Sequence, residues 1–176
     1  MEQDNRIKLE ILFKTAIKNS EEFVNVYQIA EKFLDFLNKP DIIHQISMKH
    51  KVNAQSREIQ DIFLPKAIEL GFESERKRLF KNYQLRPDYY KKLSDKSGVI
   101  MEVERGKTLP NNMDLLDVWK CHICEEANYL FLVVPQFRQT KKGTKTDTFT
   151  KVTDRIRSFF QEKNYINVDA VFIFGY

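Results

Sequence analysis

The chain has 176 residues, of which 42% are hydrophobic and 31% are charged, and its formal net charge is +4. A chain of this length fits one domain with a sizeable core, and its charged fraction excludes a protein built mainly of membrane spans. The longest apolar run, residues 129–135, is too short to cross a bilayer. The mild positive charge permits a polyanionic partner without requiring one.

The start of the chain and its cysteine content predict the compartment. Residues 2–5 are polar, and no signal peptide follows them. Two cysteines are too few for a disulfide framework, which fits a reducing cytosol. We therefore expect a cytoplasmic protein with no membrane segment.

Helices are predicted before the first strand. Helical spacing of apolar residues predicts four of them, over residues 7–18, 22–37, 41–49 and 53–70. Ser20 is a plausible cap for the second helix, and Pro65 predicts a kink or break in the fourth, which Gly71 ends. We expect one domain, in which a helical region over residues 1–52 packs on residues 53–176.

Three predicted strands follow, and helices then alternate with strands. The strands are expected over residues 72–80, 85–93 and 98–105. The later elements are a helix from residue 111 or 112 to 127, a buried strand over 129–134, a helix over 150–163 and a buried strand over 170–174. The inward stripe predicted for the first of these helices is Leu115, Leu116, Trp119, Ile123 and Ala127. This order predicts an α/β fold with a mixed central sheet.

The most informative residues lie at the ends of two neighbouring strands. Asp88 follows Pro87 at the start of one strand, and Glu102 and Glu104 lie at the end of the next. Because side chains on a strand alternate between its faces, Glu102 and Glu104 share one face, while the apolar residues that alternate with them form the core face. A hairpin-like return would bring the three carboxylates together. Like charges this close are costly unless a cation lies between them, and Mg²⁺ prefers such oxygens.

This pattern resembles the PD-(D/E)XK nuclease superfamily, which includes type II restriction endonucleases. The family has Pro-Asp, a loop and then Asp/Glu-x-Lys, and Glu104 in place of the lysine matches a minority Glu-x-Glu variant among restriction enzymes. The family's core of helix, three strands, helix and strand matches the order predicted from residue 53 onward. The resemblance implies a restriction-endonuclease-like core over residues 53–176. It also implies that Asp88 and Glu102 bind Mg²⁺, or Mn²⁺ in its place.

The resemblance implies further catalytic residues. Glu104 would accept a proton as a general base or help to hold a second metal ion. A glutamate from the helix before the sheet would complete the site, and Glu58 is the first candidate. The alternatives to it are Glu69, Glu73 and Glu75. The competing interpretation is that these acids are solvated surface residues, that Asp88 begins a turn, and that the Glu-x-Glu pair is the wet face of a strand.

Basic residues in three places are predicted to contact DNA. The loop over residues 138–151 is rich in Lys, Arg, Gln and Thr, which suit phosphates and base edges. The predicted contacts are Arg105, Lys107, Arg76, Lys77, Arg138, Lys141, Lys142 and Lys145. Ordinary surface cations and a solvated loop are the alternatives.

Cys121 and Cys124 are spaced like one half of a zinc site. A structural zinc site needs four ligands, and the sequence contains no second pair of cysteines. We therefore expect both thiols to pack in the core.

These features predict a Mg²⁺-dependent, sequence-specific DNA endonuclease of the restriction type. It would act on double-stranded DNA as a homodimer, without a small-molecule cofactor, and a cognate methyltransferase would protect the host DNA in a restriction-modification pair. One alternative is a structure-specific nuclease of DNA repair or mobile elements with the same core. The other is a DNA-binding module that kept the fold and lost cleavage.

Overall fold

The structure is a computed structural model that describes residues 6–51, 56–74, 85–139, 144–163 and 165–176. Its helices are α1 (Glu21–Leu37), α2 (Pro40–Lys49), α3 (Ser56–Glu69), α4 (Met113–Ile123) and α5 (Thr148–Arg157). Its strands are β1 (Lys8–Phe13), β2 (Glu73–Ser74), β3 (Tyr89–Ser94), β4 (Ser97–Val103), β5 (Tyr129–Val134), β6 (Phe137–Gln139), β7 (Lys145–Asp147) and β8 (Ala170–Gly175). No helix in these ranges is both long and apolar enough to cross a membrane.

Six of the strands form one mixed sheet in the order β1-β8-β5-β4-β3-β2. The three central strands, β4, β5 and β8, run parallel to one another, and the outer strands pair antiparallel. Every residue of β5 and β8 is buried, which is typical of parallel strands covered on both faces. The predicted α/β fold with a mixed sheet is therefore confirmed.

Helices cover both faces of this sheet. Helices α1, α2 and α3 pack on the face that carries Val99, Met101 and Val103. Helices α4 and α5 pack on the opposite face, which carries Ile100. The predicted alternation of side chains along β4 is confirmed, and it directs Glu102 toward α4.

Local sequence signals set several helix ends. The Ser20 Oγ accepts a hydrogen bond from the Phe23 N–H at 3.1 Å, as expected of the predicted cap. Pro40 is the first residue of α2. A backbone N–H at this position would have no hydrogen-bond partner within the helix, so proline, which lacks the N–H, is tolerated there. Helix α3 continues through Pro65 and is followed by Gly71, whose φ of 85° is a left-handed conformation that favours glycine.

The prediction of a helix over residues 7–18 is wrong. Residues 8–13 form the edge strand β1, which pairs antiparallel with β8. Its apolar residues also recur with a period of two, and those on the α1 side of the sheet are Ile7, Leu9, Ile11 and Phe13. The helical and extended patterns compete in this stretch, and pairing with β8 favours the strand.

The structure also refines two other segments. The basic loop predicted over residues 138–151 contains the short hairpin of β6 and β7, and α5 begins at Thr148. The strand predicted over residues 72–80 begins as β2, and its remainder lies outside the described residues.

Candidate active site

The predicted strand acids meet at the edge of the sheet where β4, β5 and β8 end. The register of β3 and β4 pairs Tyr89 with Met101, which places Asp88 across from Glu102. The Asp88 N–H donates to Glu102 Oε2 at 3.4 Å, and the Val103 N–H donates to Asp88 Oδ2 at 2.8 Å. The carboxyl ends of parallel strands are where open α/β sheets commonly bind ligands.

Two residues of α4 complete this site, and sequence analysis missed both. Lys120 Nζ lies 2.9 Å from Glu102 Oε1 and 2.9 Å from Asp117 Oδ1. The side chains of Glu102 and Asp117 are 4% and 0% exposed, and the Glu104 carboxyl group lies beside Asp117. We call Asp88, Glu102, Glu104 and Asp117 the acid cluster.

Helix α4 turns a different face to the core from the one predicted. Three members of the predicted inward stripe are exposed, namely Leu116, Trp119 and Ile123. The helix instead buries Asp114, Asp117, Val118 and Cys121. The signal that was available is the three-residue spacing of Asp114, Asp117 and Lys120, which places three charged residues along one side of a helix.

Burial and mutual repulsion disturb the protonation of the acid cluster. Burial, and then the charge of Asp117, raise the pKa of Glu102 well above its ordinary value, although Lys120 acts in the opposite direction. Burial, with the charges of Asp117 and Asp88, raises the pKa of Glu104 to about 7. Burial also raises the pKa of Asp117. Burial thus favours the protonated forms of these acids, and Glu104 changes its protonation state near neutral pH.

Lys120 is the cation within this cluster. Burial opposes its charge, but the carboxylates of Glu102 and Asp117 outweigh that effect and raise the pKa of the amine above its ordinary value. Lys120 therefore stays charged at neutral pH. This one ammonium group is shared between Glu102 and Asp117, and its charge only partly offsets the raised pKa values of the two acids.

A second ion pair fixes the start of α4. Arg155 Nη1 lies 3.5 Å from Asp114 Oδ1, and Arg155 Nη2 donates to Asn112 Oδ1 at 2.7 Å. Asn112 occupies the N-cap position with a φ of 54°, and its side chain makes no capping hydrogen bond within the helix. These contacts tie α4 to α5 and so fix the helix that carries Asp117 and Lys120.

The donor set matches the chemistry of a hard divalent cation. The acid cluster offers carboxylate oxygens, which are the ligands that Mg²⁺ prefers. Across the described ranges, no three His, Cys, Asp or Glu side chains converge as a ready-made metal site. The Lys120 amine instead lies against two of the acids. The residues thus fit such a cation by their chemistry, with Asp88 and Glu102 as the predicted ligands.

A chain of contacts joins Glu104 to the hairpin of β6 and β7. The Glu104 N–H donates to the Val133 carbonyl at 2.8 Å, and its own carbonyl accepts from the Tyr176 O–H at 3.0 Å. The Tyr176 ring meets the His50 ring edge-on, with 5.4 Å between centroids. A ring nitrogen of His50 lies 3.3 Å from the Phe137 carbonyl oxygen. The end of β4 and the start of the hairpin are therefore held in one packed unit.

Several predicted DNA contacts lie at the same edge of the sheet. The hairpin follows β5 directly, and it carries the partly exposed Arg138 and the exposed Lys145. Lys145 Nζ lies 3.9 Å from the centre of the Phe137 ring, and Lys107 is exposed in the turn after β4. The predicted contacts Arg76, Lys77, Lys141 and Lys142 lie outside the described residues.

Arg105 and Glu58 lie in other surroundings. Arg105 is 8% exposed, and its guanidinium donates to the backbone carbonyls of Lys49 and Lys51 at the end of α2. It therefore holds α2 against the end of β4, and its contact with DNA stays a prediction. Glu58 on α3 forms an ion pair with Lys49 at 3.5 Å and is 41% exposed, and its place as the fourth acid also stays a prediction.

The cysteines pack as expected. Cys121 and Cys124 are both buried and not joined by a disulfide. Burial raises the pKa of the Cys121 thiol well above its ordinary value, so this thiol is not a reactive thiolate.

No protein-family model matches this chain, and neither a curated protein nor a solved structure matches it significantly. The resemblance to the nuclease superfamily therefore depends on the motif and on the geometry of the acid cluster.

Proposed function

We propose that this protein is a metal-dependent endodeoxyribonuclease with a restriction-endonuclease-like core. The observation that carries the proposal is the meeting of Asp88 and Glu102 across β3 and β4, at the carboxyl end of the parallel strands. The order from α3 to β5, with a helix, three strands, a helix and a strand, supports the same core. The pairing of Pro-Asp with Glu-x-Glu is thus a spatial arrangement as well as a sequence pattern.

The acid cluster suits the hydrolysis of a phosphodiester. Such a bond resists attack because its negative charge repels hydroxide and its leaving oxygen is poor. Mg²⁺ or Mn²⁺ held by Asp88 and Glu102 would polarise the phosphoryl oxygen and lower the pKa of a bound water. Glu104, with a pKa of about 7, can exist in either protonation state at neutral pH and is therefore suited to accept a proton as a general base.

The basic residues around the acid cluster support DNA as the substrate. Buried acids alone would repel a phosphate backbone, so a nuclease site needs cations at its rim. Lys107, Arg138 and Lys145 supply such cations at the same edge of the sheet. The proposal includes double-stranded DNA as substrate and a homodimer that cuts both strands.

The experiment that tests this function is digestion of mixed plasmid and phage DNA with Mg²⁺ or Mn²⁺. The wild type is compared with Asp88→Ala and with Asp95→Ala as the matched control. Asp95 lies on the turn between β3 and β4, where its side chain is 95% exposed and pairs with Lys92. Both substitutions remove one aspartate from the same hairpin, and only Asp88 belongs to the acid cluster.

The products separate the candidate functions. Discrete fragments that vanish in Asp88→Ala and persist in Asp95→Ala would support a sequence-specific endonuclease. Smears that vanish in the same variant would favour a structure-specific nuclease of repair or mobile elements. No metal-dependent cleavage of any DNA would reject the enzyme and leave the DNA-binding module.

A further inference from the structure

Lys120 bridges two buried members of the acid cluster. Its Nζ is 2.9 Å from one oxygen of Glu102 and 2.9 Å from one oxygen of Asp117. The lysine and Asp117 are one turn apart on α4, and Glu102 reaches them from β4. The ammonium therefore joins the helix to the strand through two buried acids.

This contact uses an oxygen that the proposed function needs. Glu102 Oε1 receives the Lys120 amine at 2.9 Å, and Glu102 Oε2 already accepts the N–H of Asp88. A divalent cation held by Glu102 requires a carboxylate oxygen, and an ammonium group on the same oxygen repels it. Lys120 and the cation are therefore in competition for Glu102.

The surroundings of Lys120 allow it to move. Its side chain is 27% exposed, whereas the two acids that it contacts, Glu102 and Asp117, are almost fully buried, so the lysine borders solvent on one side. A lysine has a flexible four-carbon stem and a compact charge that can change partners. By contrast, the guanidinium of Arg105 is held by backbone carbonyls.

We propose that Lys120 is an exchangeable counter-ion of the acid cluster: it bridges Glu102 and Asp117 in the metal-free protein, and it leaves Glu102 for a substrate phosphate when a divalent cation binds. This inference rests on the proposed nuclease function and deepens it. In the metal-free protein the amine keeps the buried acids from repelling one another. After the exchange it contributes positive charge beside the cluster, where the phosphate backbone must approach.

Isothermal titration of Mn²⁺ into the wild type and Lys120→Gln tests the exchange. Without the amine, Glu102 has no competing cation, and we expect Lys120→Gln to bind Mn²⁺ at least about tenfold more tightly than the wild type. Cleavage of plasmid DNA by the same variant should fall by about a hundredfold, because the phosphate loses its cationic partner. Tighter metal binding combined with slower cleavage is a result that a purely structural ion pair would not give, since its loss would weaken both.

Two further variants serve as references. Lys120→Arg keeps a positive charge that can bridge the same acids, so its Mn²⁺ affinity should not exceed that of the wild type, and it also serves if Lys120→Gln fails to fold. Lys92→Gln removes the lysine of an exposed ion pair with Asp95 at 2.8 Å and should change neither metal binding nor cleavage.

The outcomes distinguish this inference from the proposed function. Equal or weaker Mn²⁺ binding by Lys120→Gln would overturn the exchange even if the wild type cuts DNA. Equal gains in Mn²⁺ affinity for Lys120→Gln and Lys120→Arg would overturn it as well. Tighter Mn²⁺ binding by Lys120→Gln together with undiminished DNA cleavage would reject the proposed contact between Lys120 and the substrate phosphate. A wild type that binds Mn²⁺ more weakly than Lys120→Gln but cuts no DNA would support the exchange and reject the nuclease.

Discussion

The two ends of the parallel strands hold their acids in different surroundings. At the end where β4, β5 and β8 begin, two partly buried acids, Glu22 and Asp169, each have their own partners. Ser97 Oγ lies 2.8 Å from Glu22 Oε1, and Asp169 accepts from Lys14 Nζ at 2.9 Å and from Asn128 Nδ2 at 2.8 Å. The acids of this end are compensated by fixed groups and connect the strands to their flanking segments.

At the end where the same strands finish, the buried acids Glu102 and Asp117 share one lysine, and Asp88 and Glu104 lie beside them. The pKa values of Glu102, Glu104 and Asp117 are raised there, chiefly by burial, and Lys120 offsets only part of the charge. Compensated acids stabilise a fold, whereas acids left short of positive charge destabilise it until something binds. The difference between the two ends therefore separates an architectural polar network from a candidate active site.

The largest effect is expected where a cluster acid is made neutral. Glu102→Gln keeps the shape of the side chain and removes the charge that would hold the cation, so metal-dependent cleavage should fall by about a thousandfold or more. The unfolding temperature in EDTA should fall only moderately, because the ion pair with Lys120 is lost while Lys120 keeps its contact with Asp117. Cleavage assays check the first expectation, and thermal unfolding of the same preparation checks the second. Glu125→Gln, on an exposed turn after α4, is the control.

The next effect is expected at the opposite end of the sheet. Asp169→Ala removes the acceptor of both Lys14 and Asn128 and should lower the free energy of unfolding by about 2–3 kcal/mol. Cleavage at a temperature where the variant is folded should stay close to that of the wild type. Urea denaturation measures the first quantity. A variant that loses cleavage without losing stability would contradict the division between the two ends.

A smaller effect is expected from pH in the metal-free protein. Glu104 has a pKa of about 7 in the folded state against an ordinary value of 4.5, so the folded state binds its proton more tightly. The resulting stabilisation is complete below the ordinary value and is lost as the pH rises through 7. The free energy of unfolding in EDTA should therefore fall by about 1–2 kcal/mol from about pH 5 to pH 8. Glu104→Gln should reduce this decrease of the free energy of unfolding with pH. If the decrease is unchanged in the variant, groups other than Glu104 cause it.

Sequence reasoning succeeded where near neighbours decide the structure. The positions of Asp88 and Glu102 follow from alternation along β4 and from a short return between two strands, and both are properties of adjacent residues. The sequence signal for the buried strands β5 and β8 is equally local, since each is a continuous run of apolar residues. These signals were enough to predict the meeting of the two acids.

Sequence reasoning failed where distant contacts decide the structure. Strand β1 is extended because it pairs with β8 at the other end of the chain, and its apolar pattern alone fits a helix as well. Hydrophobicity placed Trp119 in the inward stripe, but Asp117 and Lys120 are turned inward beside Glu102 of β4. A one-dimensional pattern does not show that a charged residue has a buried partner on another element.

The smallest effect is expected for Glu58, which belongs to neither end of the comparison. Its side chain is 41% exposed and pairs with Lys49, and exposed pairs of this kind contribute little. We expect Glu58→Gln to change the free energy of unfolding by less than about 0.5 kcal/mol and cleavage by less than about twofold. Asp117→Asn, assayed beside it, should lose cleavage to an extent closer to Glu102→Gln. If Glu58→Gln proves the more damaging of the two, the fourth acid comes from α3 as the sequence predicted, and the deficit of positive charge extends beyond α4 and β4.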